Sequence, residues 1–204
     1  MAMSTSDHYF AQQPSSPSVP TTHEVQVRKL QFVLAGDRGV FNQGELDWGT
    51  RVLIENADVP DGEVFLDLGC GGGAIAVALA MLRPTATVWA VDVNERALEV
   101  ARRTVTLNKL RNVHVVSPHE VPSDLRFDGI WSNPPIRIGK AALHALLLEG
   151  LGRLTPQGCA DLVAHKNLGS DSLAKWLTTQ GFNVDRARSK QGYRILHVTR
   201  EADQ

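Results

Sequence analysis

Short apolar runs alternate with longer amphipathic segments over residues 64–181, and this alternation limits the possible folds more than any other feature. The runs are typical of buried strands: VFLDL (64–68), TVWAVDV (87–93), VHVV (113–116), FDGIWS (127–132) and CADLVAH (159–165). Strands that alternate with helices form a parallel sheet covered on both faces. Near the C-terminus, FNVDRARSK and YRILHVTR meet at Gln191-Gly192 and predict a hairpin. The predicted fold is α/β: a doubly wound, seven-stranded, mostly parallel sheet with a C-terminal antiparallel hairpin.

The N-terminal part of the sequence divides into an arm and the start of a domain. Residues 1–22 are rich in Ser, Pro, Thr and Gln, which predicts a disordered N-terminal arm. Residues 23–204 are enough for one domain with a sizeable core and too few for two. Alternating apolar residues between 24 and 34 predict two short strands, and Thr50 is an acceptable N-cap for a following helix.

Charge and cysteine content narrow the class of protein. With 21 Lys and Arg against 22 Asp and Glu, the net charge is −1, so we expect no broad basic surface that binds naked nucleic acid through phosphates alone. Cys70 and Cys159 are interpreted as reduced, buried thiols, and the seven histidines do not cluster at metal-ligand spacings, so we expect no metal. Without a bilayer-spanning apolar run or a signal-peptide pattern, we expect a cytoplasmic protein with no membrane partner. No pattern indicates the oligomeric state.

A glycine-rich segment, DLGCGGGAIAV (67–77), is the first candidate site. Glycines between a strand and a helix allow a sharp turn and a close approach of a ligand to the helix N-terminus. The pattern fits a dinucleotide-binding loop as well as D-x-G-x-G-x-G, and Asp92, after the next strand, can accept both hydroxyls of a ribose. The carboxylate of Asp67 would repel a pyrophosphate and favours a ligand that carries an ammonium group, such as S-adenosylmethionine. The alternative is a structural strand–helix turn that binds no ligand.

The second candidate site is SNPPIRIGK (132–140), which leaves the predicted sheet beside the glycine loop. A conjugated amino group is a poor nucleophile until two acceptors draw its nitrogen toward tetrahedral geometry. The side-chain oxygen of Asn133 and the carbonyl of Pro134 can each accept one N–H of such a group. The two prolines hold the backbone so that these acceptors are already in position. The corner therefore favours amino-group methylation, although Asn-Pro also marks ordinary turns.

Together these motifs resemble those of class I S-adenosylmethionine-dependent methyltransferases of the "methyltransferase small" family. This Rossmann-like group includes small-subunit rRNA guanine-N2 methyltransferases. The resemblance covers about residues 24–200 and rests on five segments: GVFNQGELDWGT (39–50), DLGCGGGAIAVALA (67–80), VDVN (91–94), SNPPIRIGK (132–140) and QGYRILHV (191–198). It implies that residues 23–204 form a single methyltransferase domain whose cofactor is S-adenosylmethionine.

The resemblance also implies a role for the residues at the motif positions. Asn133, Pro134 and Pro135 are expected to hold the target amino group as the catalytic corner. The expected cofactor-binding residues are Thr50, Asp67, Gly69, Cys70, Gly71, Asp92, Val93 and Asn133. The expected acceptor-binding residues are Phe41, Ile136, Arg137 and Lys140. In the family, Asp47–Thr50 lies over the cofactor pocket, although a turn with a helix cap explains this segment equally well.

Three departures from the family pattern affect the acceptor and the cofactor. Ile136 stands where an aromatic residue often stacks on the target base, and an isoleucine cannot π-stack. Pro118 stands where Asn or Asp often reads the adenine, so backbone groups, His119 or Glu120 must do so. The well-studied bacterial rRNA enzymes have an extra N-terminal domain with no counterpart in this sequence, so RNA docking must use other means.

Several basic residues can be interpreted either as RNA contacts or as ordinary surface residues. Arg137 and Lys140 lie near the start of a predicted helix, where an RNA phosphate would offset the unfavourable dipole; solvation explains them as well. A basic group in the terminal hairpin could face RNA or simply protect an edge strand: Arg186, Arg188, Lys190 and Arg194. All four tryptophans are expected to pack in or near the core: Trp48, Trp89, Trp131 and Trp176.

The leading hypothesis is transfer of a methyl group from S-adenosylmethionine to an exocyclic amino group, with guanine N2 of rRNA as the favoured target and RNA or a ribosomal subunit as the partner. A second hypothesis changes the acceptor to a protein glutamine or a small-molecule amine. The near-neutral charge and Ile136 favour that alternative. A remote third hypothesis is an NAD-dependent oxidoreductase or a nucleotide-binding module, against which Asp67 and the Asn-Pro-Pro corner argue.

Overall fold

The computed structural model describes residues 18–38, 40 and 45–200, so the predicted arm up to residue 17 and Phe41 lie outside the described residues. Within them the chain forms nine strands and five α-helices. In chain order these are β1 (Thr21–Val27), β2 (Leu30–Gly36), α1 (Trp48–Asn56), β3 (Val64–Leu68), α2 (Ala74–Leu82), β4 (Thr87–Val91), α3 (Glu95–Leu107), β5 (Val113–Val116), β6 (Phe127–Ser132), α4 (Lys140–Leu151), β7 (Leu154–His165), α5 (Ser170–Thr179), β8 (Phe182–Lys190) and β9 (Tyr193–Arg200).

Seven strands form the central sheet in the order β5-β4-β3-β6-β7-β9-β8. Strands β3 to β7 are parallel, whereas β9 is antiparallel to both β7 and β8. The predicted doubly wound sheet and its terminal hairpin are therefore confirmed. The chain runs outward from β3 through β4 to β5 and then returns to β6 on the other side of β3. This reversal opens a crevice beyond the carboxyl ends of β3 and β6, where ligands bind in such sheets.

The core lies on both faces of this sheet, as expected for a parallel sheet covered by helices. Successive residues of β3 point to opposite faces, so Phe65 packs in one apolar cluster with α1 and α2. Leu66 packs in another cluster with α4 and α5. Helix α2 is buried at six of its nine positions, because its sequence AIAVALAML is apolar all round. Burial on both faces holds the strand ends that carry the candidate site in fixed positions.

The β1–β2 hairpin forms a separate two-stranded sheet that packs on α3. The two predicted strands are present, and β1 begins at Thr21, two residues before the predicted start of the domain. Side chains in α3 and at its C-cap fix the hairpin, since Thr104 Oγ1 accepts from the Ala35 N–H across 3.1 Å and Asn108 Oδ1 accepts from the Val33 N–H across 2.9 Å. The hairpin thereby brings the end of β2 to the rim of the crevice.

Several local expectations are wrong. Helix α1 begins at Trp48, and its N-cap is Asp47 rather than Thr50, because the Asp47 carboxylate accepts from the Thr50 N–H across 3.0 Å. Strand β7 begins at Leu154, five residues before the predicted start. Trp48 is 41% exposed and not in the core, whereas Trp131 is fully buried as expected. Cys159 is a free thiol but only half-buried.

None of the helices described is long and apolar enough to cross a membrane.

Candidate active site

A cavity of about 1340 Å³ lies in the crevice beyond β3, β4 and β6. Most of the predicted site residues line it together: Thr50, Gly69, Cys70, Gly71, Asp92, Val93, Asn133, Pro134, Pro135, Ile136 and Arg137. Asp67 lies beneath the cavity wall, and Lys140 is the exposed first residue of α4 rather than a lining residue. The structure thus brings the glycine loop and the Asn-Pro-Pro corner into one cavity, which is large enough for two small ligands.

The glycine loop connects β3 to α2 by a turn that only glycine adopts easily. Gly69 has φ +74° and Gly71 has φ +51°, both in the left-handed region. The N–H groups of Gly69 and Cys70 both donate to the Val91 carbonyl across 2.9 Å, so the loop is fixed to the end of β4. A Cβ on Gly71 would meet no atom within 4 Å, so this backbone faces open cavity. A ligand can therefore approach the backbone closely at Gly71.

Asp67 is fully buried under the glycine loop. Its Oδ2 accepts from the Ala76 N–H across 2.9 Å, which ties the end of β3 to the first turn of α2. Burial raises the pKa of this carboxyl to about 8, and the nearby Asp92 carboxylate adds to the rise, while the Ala76 N–H opposes it. Its Oδ1 is buried and has no hydrogen-bond partner among the described residues. Contact between Asp67 and a cofactor stays a prediction.

Asp92 stands at the cavity wall between the glycine loop and α3. Its Oδ2 accepts from the Gly71 N–H and its Oδ1 from the Asn94 N–H, both across 2.9 Å. Burial raises the pKa of Asp92, and these N–H groups oppose the rise by stabilising the carboxylate. Each oxygen keeps a further lone pair, so the carboxylate can accept ribose hydroxyls.

The region beside Pro118 is apolar. Pro118 and Val121 line the cavity there, whereas His119 and Glu120 do not. Glu120 accepts from the backbone N–H and hydroxyl of Ser117 in a capping box, and a ring nitrogen of His119 lies 3.1 Å from the same hydroxyl. These contacts disfavour the expectation that His119 or Glu120 reads an adenine, and recognition by backbone groups stays a prediction.

Asn133 is held by two side chains from the N-terminal end of α1. Its Nδ2 donates to Asp47 Oδ2 across 2.7 Å and to Thr50 Oγ1 across 3.1 Å. Because the amide nitrogen is engaged on that side, the Asn133 oxygen is the atom left to accept from a ligand. Asp47 therefore serves both as helix cap and as partner of Asn133, while a contact of Asp47–Thr50 with a cofactor stays a prediction.

The Pro134 carbonyl has one acceptor position already engaged. The Ile136 N–H donates to it across 2.8 Å, and Pro135 between them has φ −74° and ψ 76°, the geometry of an inverse γ-turn. A carbonyl oxygen has two lone pairs, so one remains for a ligand. The second proline thus fixes the direction of the first proline's carbonyl.

The lining residues that were not predicted from the sequence include two aromatic ones, His165 and Tyr193. His165 ends β7 and Tyr193 begins β9, and the two are paired across the strands. The predicted sheet topology could have indicated these two positions, because a parallel strand ends, and its antiparallel neighbour begins, at the same edge of the sheet.

Three of the four basic residues of the terminal hairpin are paired with carboxylates. Arg186 and Arg194 both contact the Asp171 carboxylate, Arg186 across 2.7 Å, and Lys190 contacts Glu55 across 3.1 Å. These ion pairs favour the edge-strand interpretation of the hairpin over an RNA-facing one. Arg137 lines the cavity and is exposed there. Within the described ranges, no group of three or more His, Cys, Asp or Glu residues could hold a metal ion.

The sequence is similar to curated proteins. It is 34% identical to the uncharacterized protein YbxB of Bacillus subtilis, over 94% of this chain and 97% of the relative. It is 38% identical to ribosomal RNA small subunit methyltransferase C of Aeromonas hydrophila, over 70% of this chain and 43% of the relative. The chain thus spans less than half the length of that rRNA methyltransferase.

Solved structures share the fold. The T. thermophilus 16S rRNA N2 methyltransferase RsmC, in complex with AdoMet and guanosine, matches with a TM-score of 0.75 at 22% identity, over 92% of this chain and 52% of that one. A ribosomal protein L11 methylase of Lactobacillus delbrueckii matches with a TM-score of 0.60 at 24% identity, over 79% and 89%. At these identities the likeness shows the fold, and the predicted methyltransferase fold is confirmed.

The model of one protein family, described as the methyltransferase small domain, matches residues 31–197, which is most of the chain and includes both candidate sites. With this match and the curated relatives, the resemblance predicted from the motifs is confirmed. The chain belongs to the methyltransferase small domain family.

Proposed function

We propose that this protein transfers a methyl group from S-adenosylmethionine to an exocyclic amino group of RNA, with guanine N2 of rRNA as the favoured target. Family membership confirms the predicted cofactor and removes the oxidoreductase and nucleotide-binding alternatives. The observation that carries the proposal is the fixed amide of Asn133, whose oxygen remains free to accept in the cavity that also holds the glycine loop.

The residues present fit S-adenosylmethionine. The Asp92 carboxylate retains lone pairs for ribose hydroxyls, and Gly71 presents bare backbone to open space. The apolar side chains of Pro118 and Val121 suit the flat face of an adenine. When bound, the cofactor supplies a methyl group on a positively charged sulfur. The cavity volume of about 1340 Å³ leaves room for an acceptor beside it.

Asn133 and the Pro134 carbonyl orient the acceptor nitrogen. Each accepts one N–H of the amino group, which turns the lone pair away from the ring and toward the methyl carbon. The nitrogen–carbon bond then forms as the carbon–sulfur bond breaks, and the electron pair of that bond stays on sulfur. The alkylated nitrogen becomes acidic and loses its extra proton to solvent, so the chain needs no strong base. Catalysis rests on orientation, which removes much of the entropic barrier.

Two observations support rRNA as the substrate. Three curated relatives named ribosomal RNA small subunit methyltransferase C are 36–38% identical over their matched segments. The guanidinium-bearing Arg137 stands exposed at the cavity, where a phosphate next to the target nucleotide could contact it.

A protein acceptor is the second candidate function. The near-zero net charge and the ion-paired hairpin give little basic surface for RNA. The structural match to a ribosomal protein L11 methylase shows the same fold in a protein named for a protein substrate.

Nucleoside mass spectrometry on rRNA from cells with and without the gene tests the proposal. We expect N2-methylguanosine to fall without the gene and to return with the wild-type chain but not with Asn133→Ala. Asn183→Ala is the matched control, because Asn183 is exposed on β8. Asn133→Ala should still bind S-adenosylhomocysteine. If rRNA methylation is unchanged and a labelled methyl group is found in protein, the second candidate function, with a protein acceptor, would replace the first.

A further inference from the structure

His165 and Tyr193 are aromatic residues that the proposed chemistry does not use, yet they line the same cavity as Asn133. They are cross-strand partners, at the end of β7 and the start of β9. Their ring centroids are 4.9 Å apart and the rings are nearly perpendicular, at 81°. Since β6, which leads into Asn133, neighbours β7 in the sheet, this pair stands next to the Asn-Pro-Pro corner.

Two glycines hold these rings in place. A Cβ on Gly192 would lie 2.8 Å from His165 Nε2, and a Cβ on Gly49 would lie 2.8 Å from Tyr193 Cε1. Gly192 also has φ +85° in the turn before β9, and its carbonyl accepts from the Lys166 N–H across 2.8 Å. Each ring therefore packs against bare backbone and has little freedom to move. A rigid aromatic wall binds a flat ligand with little loss of entropy.

Tyr193 is also linked to the group that orients the acceptor. A Cβ on Gly49 would lie 3.0 Å from Asp47 Oδ2, the atom that accepts from Asn133, as well as close to the Tyr193 ring. The Tyr193 ring and the Asn133 amide are thus positioned by one short segment at the start of α1. Consistent with this, burial first and then the Asp47 carboxylate raise the pKa of the Tyr193 hydroxyl.

We propose that Tyr193 and His165 form the wall that receives the acceptor, and that the acceptor is a planar heteroaromatic base rather than an aliphatic amine or a glutamine side chain. The inference rests on the proposed function and names the residues that bind its acceptor base. Ile136 cannot π-stack, so aromatic contact with a base must come from other residues, and Tyr193 and His165 supply it. Leu46 and the 49%-exposed Leu168 add apolar lining near the pair, which suits the face of a ring.

Titration with guanosine tests the inference on protein saturated with S-adenosylhomocysteine, with binding measured by saturation-transfer NMR. Loss of a base–aromatic contact weakens binding by about five- to a hundredfold. We therefore expect Tyr193→Leu, which keeps apolar bulk beside Gly49, to raise the guanosine Kd by at least about fivefold. Tyr193→Phe keeps the ring and should bind guanosine nearly as well as the wild type. His165→Leu should weaken binding in the same direction.

The matched control is His144→Leu, because His144 stacks on Trp176 between α4 and α5 and does not line the cavity. An unchanged Kd for S-adenosylhomocysteine shows that a variant is folded and that its cofactor end is intact. The inference is overturned if wild-type protein binds no guanosine, if Tyr193→Leu and His165→Leu bind it like the wild type, or if L-glutamine displaces it at a lower concentration than adenosine does. Absence of methyl transfer to rRNA would instead contradict the proposed function. The guanosine titration measures binding at Tyr193 and His165 and does not depend on turnover.

Discussion

The side-chain amide of Asn133 donates to the Asp47 carboxylate across 2.7 Å, although the two residues are 86 positions apart in the sequence. The contact joins the N-terminus of α1 to the end of β6, and it decides which atom of the amide faces the cavity. A carboxylate only accepts hydrogen bonds, so it selects the Nδ2 group and leaves Oδ1 toward the ligand. Asp47 is therefore a positioning residue that acts through Asn133.

Asp47→Ser separates this role from helix capping. Serine is as good an N-cap as aspartate, so the free energy of unfolding should change little. The shorter side chain leaves Asn133 without its charged partner, and hydrogen bonds to charged groups contribute about 1.5–3 kcal/mol. We expect kcat for methyl transfer to fall by about tenfold or more, with a smaller change in S-adenosylhomocysteine affinity. A variant that caps normally and turns over at the wild-type rate would show that Asn133 needs no partner.

Thr50 is the second hydrogen-bond partner of the Asn133 amide, and its substitution should lower kcat less than the substitution of Asp47 does. Thr50→Val keeps the shape of a nearly buried side chain but removes the oxygen that accepts from Asn133 across 3.1 Å. A neutral hydrogen bond contributes about 1 kcal/mol, so we expect kcat to fall about fivefold. Thr50→Ser restores the oxygen and should restore most of the rate, as measured by transfer of a labelled methyl group. Equal rates for the valine and serine variants would contradict the assigned contact.

Much of the sheet could be predicted from the sequence, because its strands are short apolar runs bounded by turn residues. Strands β3, β5, β6, β8 and β9 have the predicted bounds. The glycine loop and the Asn-Pro-Pro corner were also placed correctly in one crevice, since both follow neighbouring parallel strands.

Other features depend on contacts that no local pattern encodes. The contact of the Thr50 side chain with Asn133 requires α1 to pack against the end of β6. The pairing of His165 with Tyr193 required the register of β7 against β9. Asp67 is expected from the sequence to bind the cofactor, and the turn of the loop places its carboxyl beneath the glycines, where it accepts from the Ala76 N–H.

The buried Asp67 predicts a pH dependence of stability. Its folded pKa of about 8 lies above the unfolded value of about 3.9, so the folded state binds more protons between these values. The contribution of Asp67 to stability is therefore present at low pH and is lost as the pH rises toward 8. The side chain in Asp67→Asn cannot ionise. The free energy of unfolding of this variant should therefore rise relative to that of the wild type as the pH increases from 5 to 8. Urea unfolding at each pH measures this difference, with the exposed Asp124→Asn as control. A difference that does not vary with pH would contradict the assigned burial.

His197, on β9, predicts a second pH dependence of the free energy of unfolding. Its Nδ1 lies 2.9 Å from the buried Asp161 carboxylate, its partner across β7 and β9. The hydrogen bond with Asp161 raises the pKa of His197, and the charges of Asp161, Asp185 and Asp58 add to the rise against partial burial.

A histidine with a raised folded pKa stabilises the folded state fully below its unfolded pKa of about 6.5, and this contribution is lost as the pH rises through the folded value. Compared with His197→Gln, the wild type should therefore have its largest advantage in free energy of unfolding below about pH 6.5 and lose it steadily above that. Unfolding in urea at pH 5.5, 7 and 8.5 measures the trend. His23→Gln serves as the control, because His23 is on the separate β1–β2 hairpin. An advantage that grew with pH would mean that His197 is neutral in the folded state and contacts Asp161 without forming an ion pair.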